Sequence, residues 1–185
     1  MPDPAPLSPA LVRRVRAGDR EAFEALFRAL HGPLVRYAAT LAADGAEDAV
    51  QDAFLTVWRR RATLDPDRSV KALLYTTVRN ALLNRSRDAR RRDELHGAMP
   101  DPARPDTPDD AAQAALLGAH VRGWLDALPA RQREAFSLSR FDGLSYAEIA
   151  DVMACSTKTV ENHVGRALRT LRDRLRAVAP DALSS

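Results

Sequence analysis

Thr157, Lys158, Glu161, Asn162, Arg166 and Arg169 recur at the spacing of one helix face. All can donate or accept hydrogen bonds at base edges and phosphates, and the first turns of such a helix are the part that enters a DNA major groove. Thr159 and His163 lie on the same turns. The opposite side, Val160, Val164, Ala167, Leu168, Leu171 and Leu175, is apolar at helical period and needs a partner to pack against. That partner lies just upstream. Ser145-Tyr146-Ala147-Glu148 reads as a capping box, in which the serine and glutamate side chains each satisfy a free backbone N–H. Ile149, Ala150 and Met153 form the buried side of this first helix, Ala154-Cys155 the break, and Ser156 the N-cap of the second helix. Residues 145–175 therefore predict a helix-turn-helix, with Ala154 standing where a glycine often makes the turn. An ordinary helical hairpin with a solvated charged face shows the same pattern, so contact with DNA needs support from the rest of the chain.

A second equipped stretch supplies some. Tyr75, Thr76, Arg79, Asn80, Leu83, Asn84 and Arg87 are expected on an outward stripe that runs into the basic segment Arg85 to Arg92, with no acid before Asp88. An aromatic ring among arginines and amides suits the stacking of unpaired bases and the gripping of phosphates. The preceding connection, Arg59 to Arg68, is polar and contains Pro66; it could hold a splayed-out base or could only connect two helices. A third face, Asp48, Gln51, Asp52, Leu55 and Arg59, lies opposite an apolar stripe. A leucine flanked by two carboxylates and an amide suggests a protein contact, although singly exposed leucines are common.

Catalysis finds no footing. His31, His96, His120 and His163 are scattered without metal-ligand spacing, no glycine-rich phosphate loop follows a strand, and no nucleophile sits in a recognisable setting. No enzyme activity, metal or cofactor is expected. The lone Cys155 excludes a disulfide framework or a cysteine-built zinc site. No stretch approaches a membrane span and the start lacks a basic-then-apolar leader, so a cytoplasmic location is expected. The formal net charge is only +3, but all except Lys71 and Lys158 of the 28 basic residues are arginines. Their planar forks suit bidentate phosphate and guanine contacts. A GC-rich coding bias accounts for much of that count but not for its clustering.

The elements that must position these groups are all helical. A short helix near Pro9–Ala17 precedes three longer stripes: Phe23, Leu26, Phe27, Leu30, Leu34, Tyr37, Ala38 and Leu41, with Pro33 expected to bend or interrupt it; then Ala46 to Trp58; then Val70, Leu73, Leu74, Val78, Ala81 and Leu82. The segment Met99–Asp110 is rich in proline and aspartate with almost nothing to bury, the composition of a semi-extended linker. Periodicity returns at Leu116, Val121, Trp124, Leu125 and Leu128, then at Ala135, Phe136, Leu138 and Phe141. The expectation is an all-α chain: one bundle over 1–95, a flexible acidic linker over 96–110, and a second bundle over 111–185 that ends in the helix-turn-helix.

Taken together, EDAVQDAFLTVWRR (Glu47–Arg60), VKALLYTTVRNALLNRSRDARRR (Val70–Arg92) and LDALPARQREAFSLSRFDGLSYAEIADVMACSTKTVENHVGRALRTLR (Leu125–Arg172) resemble a bacterial sigma factor of the small, two-domain, extracytoplasmic-function subgroup. The three blocks occur in the family's order and cover nearly all of the chain except its termini and the linker. The resemblance implies that Asp48, Gln51, Asp52 and Leu55 dock on the clamp helices of the largest RNA polymerase subunit. It implies that Arg59, Arg60, Lys71, Tyr75, Thr76, Arg79, Asn80, Asn84 and Arg87 melt and read the -10 element. Ser156, Thr157, Lys158, Thr159, Glu161, Asn162, His163, Arg166 and Arg169 would read the -35 element, and the linker would thread toward the active-site channel and RNA exit path. An anti-sigma factor, often membrane-anchored, is the implied control partner, and the holoenzyme would lie at the nucleoid. Asn84 departs from the family's usual aspartate, as Ala154 does from its turn glycine. The runner-up is a response-regulator-type transcription factor, which Lys158–Leu171 also resembles, but it requires a βα receiver domain upstream. A protein-only helical adaptor leaves the arginine clusters unexplained, and a nucleic-acid enzyme lacks a carboxylate cluster for metal.

Overall fold

Polar side chains set the helix starts. The Ser8 hydroxyl accepts from the Leu11 N–H at 3.3 Å ahead of α1 (Pro9–Arg16), with proline at its first position. The Asp19 carboxylate accepts from the Ala22 N–H at 3.1 Å ahead of α2 (Arg20–Leu41). The computed structural model describes residues 7–42, 44–96 and 123–178, with side chains of the long fourth helix described as far as Arg87. After α2 come α3 (Ala46–Arg59), a 3-10 turn at Arg61–Thr63, and α4 (Val70–His96). Helical residues 123–126 then lead to α5 (Ala130–Arg140), α6 (Tyr146–Met153) and α7 (Thr157–Val178). No strand occurs among the described residues. The proline-rich linker, the periodic positions Leu116 and Val121, and the side chains of the basic segment beyond Arg87 lie outside them. The chain divides into two compact units at Arg104–Pro105.

In the first unit α2, α3 and α4 pack on one another, while α1 covers α2 and the 3-10 turn. Leu26, Leu34, Val50, Leu74 and Val78 are fully withdrawn from solvent, each such burial contributing about 1.5–3 kcal/mol. Phe54 meets Phe27 at 4.8 Å and the edge of Phe23 at 6.2 Å, tying α3 to α2. Pro33 does not interrupt α2. It removes one backbone bond, and the buried Leu34, Tyr37 and Ala38 beyond it keep the last turns in place by packing. Leu73, expected in the core, is 43% exposed. α4 presents Leu74, Tyr75 and Val78 to its two neighbours instead, which turns Leu73 outward.

In the second unit α5 and α6 both pack on α7, around Leu128, Phe136 and Ala167 with Leu138, Ile149, Val160 and Val164. Phe141 is 65% exposed rather than buried, its ring in an edge-to-face contact with Phe136 at 6.0 Å. Phe141 is the C-cap of α5, its N–H still on the Ser137 carbonyl at 2.9 Å, so it keeps the helical register but stands at the helix end, on the solvent side.

The predicted capping box is present, with Glu148 N–H donating to the Ser145 hydroxyl and Ser145 N–H to the Glu148 carboxylate at 2.8 Å. α6 then closes in a Schellman motif: the Cys155 N–H reaches the Ala150 carbonyl at 3.0 Å and the Ala154 N–H reaches Asp151 at 3.3 Å. This forces Ala154 into the left-handed region at φ 50°, ψ 54°. The α1–α2 turn uses the same bonds, Asp19 to Arg14 and Gly18 to Val15, but with glycine at the left-handed position.

Candidate nucleic-acid and protein interfaces

α7 begins on Ser156, whose hydroxyl accepts from the Thr159 N–H at 3.1 Å and pairs with the Thr159 hydroxyl at 2.8 Å. Both hydroxyls therefore serve the cap as well as any ligand. Val160, Val164 and Ala167 anchor one side of the helix. Thr157, Lys158, Glu161, Asn162, Arg166 and Arg169 are exposed on the other. Lys158 and Glu161 neutralise each other at 2.8 Å, while Asn162 and Arg166, one turn apart, face solvent together with Thr157 and Arg169. His163 is half-buried, and its Nδ1 is enclosed with no hydrogen bond among the described residues, so that edge faces away from any DNA.

On α3 the four residues Asp48, Gln51, Asp52 and Leu55 are all exposed, Leu55 at 49%. Sequence reading did not find their neighbour Arg85. From α4, its guanidinium reaches the Asp52 carboxylate at 3.1 Å and the Gly45 carbonyl at 3.2 Å, across the start of α3. Gly45 has φ 75°, which favours glycine, and a Cβ there would lie only 2.9 Å from Arg85 Nη1, so a side chain at position 45 would be strained and would push the guanidinium aside. The lone signal in the sequence was an arginine at the start of the basic segment, between Asn84 and Arg87 of the expected outward stripe.

The stripe on α4 needs correction. Tyr75 is 0% exposed, its ring 5.0 Å from that of Tyr37, and Arg79 is 5% exposed. Neither can stack or grip nucleic acid from there. α4 packs against both α2 and α3, so its buried arc is wider than a single stripe and takes in these two positions. The exposed face is Leu73, Asn80, Asn84 and Arg87, flanked by half-buried Thr76, Thr77 and Leu83. The Thr76 hydroxyl donates back to the Ala72 carbonyl at 2.8 Å. Lys71 is half-buried near the start of the helix.

The connection before α4 is built, not slack. Leu64 is buried, Thr63 Oγ1 donates to the Arg60 carbonyl at 2.8 Å, and the Asp67 N–H caps back to Asp65 at 3.0 Å. Arg59, Arg60 and Arg68 are exposed around it, and the Ser69 hydroxyl accepts from the Ala72 N–H at 3.1 Å to start α4. No helix among the described residues is long and apolar enough to cross a membrane.

Residues 26–92 match the family described as Sigma-70 region 2, and residues 121–171 match Sigma-70, region 4. The ECF RNA polymerase sigma factor SigK of Mycolicibacterium vanbaalenii is 32% identical over 173 residues, covering 88% of this chain and 86% of that protein. SigL of Mycobacterium tuberculosis, another ECF RNA polymerase sigma factor, is 33% identical over 165 residues, covering 84% and 92%. Among solved structures, the sigma factor RpoE in complex with the anti-sigma factor NepR from Bartonella quintana aligns with a TM-score of 0.64 at 26% identity, over 83% of this chain and 96% of that one. With both regions present in order and relatives of this identity spanning most of its length, the chain belongs to the ECF RNA polymerase sigma factors, non-enzymatic initiation factors that direct polymerase to promoters.

Proposed function

We propose that this sigma factor divides promoter recognition among three faces. The α3 face of Asp48, Gln51, Asp52 and Leu55 docks on the clamp helices of the largest polymerase subunit. The exposed side of α4, with Thr76, Asn80, Asn84 and Arg87, and the loop carrying Arg59 and Arg60 hold the melted -10 element. The first turns of α7 read the -35 element as duplex, through Asn162 and Arg166 at base edges and through Thr157, Lys158 and Arg169 nearer the backbone. The observation that carries this reading is the bare pair Asn162 and Arg166 on the first turns of a helix pinned from behind by Val160, Val164 and Ala167. A helix fixed in that way can present side chains to a groove without disturbing its own core.

The protein itself has no catalytic role in this scheme and works in the cytoplasm. RpoE of Bartonella quintana is solved with NepR, and by that likeness this chain is held inactive by an anti-sigma factor until a signal releases it. Run-off transcription with purified core polymerase on a promoter library tests the whole reading. Transcripts from a shared pair of -10 and -35 sequences are expected with the wild-type chain. Asn162→Ala and Arg166→Ala should relax the -35 preference only, and Asn80→Ala with Asn84→Ala the -10 preference only. A library that yields no shared element, or variants that shift the wrong element, would defeat the assignment.

A further inference from the structure

Three consecutive arginines follow Trp58, and they face different ways. Arg59 and Arg60 are exposed, whereas Arg61 turns back onto the protein. Its guanidinium carbon lies 4.5 Å from the centroid of the Trp58 ring, and its Nη1 donates to the Trp58 carbonyl at 3.0 Å. On its other side, Nε sits 3.5 Å from where a Cβ on Gly18 would stand, in the left-handed turn between α1 and α2. Trp58 is itself stacked on Phe23 of α2 at 4.8 Å. One side chain thus ties the 3-10 turn to the end of α3 and lies alongside the α1–α2 turn, with Leu64 as the loop's other anchor.

We propose that Arg61 is a positioning residue for promoter opening. It makes no contact with DNA. By clamping the 3-10 turn onto Trp58, beside the bare Gly18 turn, it holds Arg59, Arg60 and the backbone of residues 62–68 in the pose that receives unpaired -10 bases. Ordering that loop in advance removes its entropy cost from the DNA-binding step. The chemistry calls for arginine: a planar fork can lie on the indole and donate to a carbonyl at once, while the compact ammonium of lysine cannot do both. The proposal rests on the reading of this loop as part of the -10 site.

The test uses holoenzyme assembled from core polymerase and the full chain carrying Arg61→Ala, Arg61→Lys or Arg60→Ala. Open-complex formation is followed on a duplex promoter across a salt series, alongside affinity for core. Both Arg61 variants are expected to lower open-complex formation about tenfold, the scale of one lost cation–π contact plus one hydrogen bond. Salt dependence and core affinity should stay at wild-type values. In a Trp124→Phe background, the emission of Trp58 should shift in the free protein when Arg61 is replaced. Arg60→Ala should instead lower the salt dependence by about one counterion, as a phosphate contact does. Wild-type behaviour of Arg61→Lys, with a lost counterion in Arg61→Ala, would make Arg61 a DNA contact and overturn the proposal. Parallel loss of core affinity and thermal stability in both variants would reduce Arg61 to a fold-holding role and overturn it equally. If Arg60→Ala is defective and the Arg61 variants are not, the proposal alone fails; if Arg60→Ala has no effect on DNA, the loop reading fails and takes the proposal with it.

Discussion

Replacing Ala154 with glycine should stabilise the second unit. Ala154 is held at φ 50°, ψ 54° because the Schellman bonds of α6 require a left-handed residue there. A Cβ in that region costs about 1–2 kcal/mol from its clash with the following carbonyl. Glycine removes the clash but makes the unfolded chain more flexible, which offsets about 0.4–1 kcal/mol of the gain. Ala154 is exposed, so no packing is lost with its methyl group. The net expectation is stabilisation by about 0.5–1 kcal/mol, a rise in Tm of roughly 3–6 °C for a unit of this size. Urea unfolding of the intact chain, with hydrogen exchange in α6 and α7 reporting the second unit, measures it. Because glycine keeps the same turn, the -35 preference should not change. An unaltered or lower midpoint would refute the reasoning, since it would mean that the turn is not strained. Ala154→Val provides the opposite sign, because a β-branched side chain fits the left-handed region worst of all.

Four further outcomes are expected. Reversing Asp48 and Asp52 to arginine should abolish binding to core polymerase while far-UV circular dichroism and melting stay close to wild type; loss of folding would show the face to be structural. Tyr75→Ala should lower the stability of the first unit by about 3–5 kcal/mol in denaturant unfolding, as a large buried ring does, whereas Asn80→Ala should leave stability alone and impair opening of a duplex promoter more than of one pre-melted at -10. Asp19 is held below the usual carboxylate range by the Ala22 N–H and then by Arg14 at 2.7 Å. Its contribution is therefore complete above the unfolded pKa and is lost as pH falls through the lower folded value, so Asp19→Asn, which still caps, should flatten the acid limb of a stability–pH curve. Arg166→Ala should weaken the preferred -35 sequence by about 1–3 kcal/mol and level the variants, while Arg172→Ala should weaken every sequence alike and lower the salt slope by about one.

The helical architecture was legible because its determinants are local. Capping signals at Ser8, Asp19 and Ser145 state where helices begin, and stripes such as Ala46, Ala49, Val50, Ala53, Phe54 and Val57 state which side faces in. The Asp48–Leu55 face followed from the same periodicity, since α3 buries one clean side and leaves the other bare. Partnerships between distant residues were not legible. Nothing near Asp52 in sequence announces Arg85, and nothing near Gly18 announces Arg61. Each pairing depends on how far along its neighbour a helix or loop happens to lie, a tertiary quantity that side-chain spacing does not encode.

The error on α4 has the same origin and a sharper consequence. An amphipathic reading assumes one buried side per helix, and it placed Tyr75 and Arg79 among the outward polar groups because an aromatic and an arginine looked like equipment for nucleic acid. α4, however, packs against two helices, and its buried arc spans Leu74, Tyr75, Val78 and Arg79. Thr76, Asn80, Leu83, Asn84 and Arg87 stay on the exposed or half-buried side, while Tyr75 and Arg79 fall inside the widened arc and Leu73, two residues or about 200° of rotation from Tyr75, faces solvent. The exposed face is consequently poorer in charge and aromatic surface than the residue list suggested, consisting of amides, a leucine and Arg87. Amides and a leucine can recognise a base that is already unstacked but supply little attraction to phosphate. On the proposed reading, that attraction comes among the described residues from Arg59, Arg60 and Arg68 ahead of α4 and from Arg87 within it, which makes the pose of the connecting loop as important to melting as the face of α4 itself.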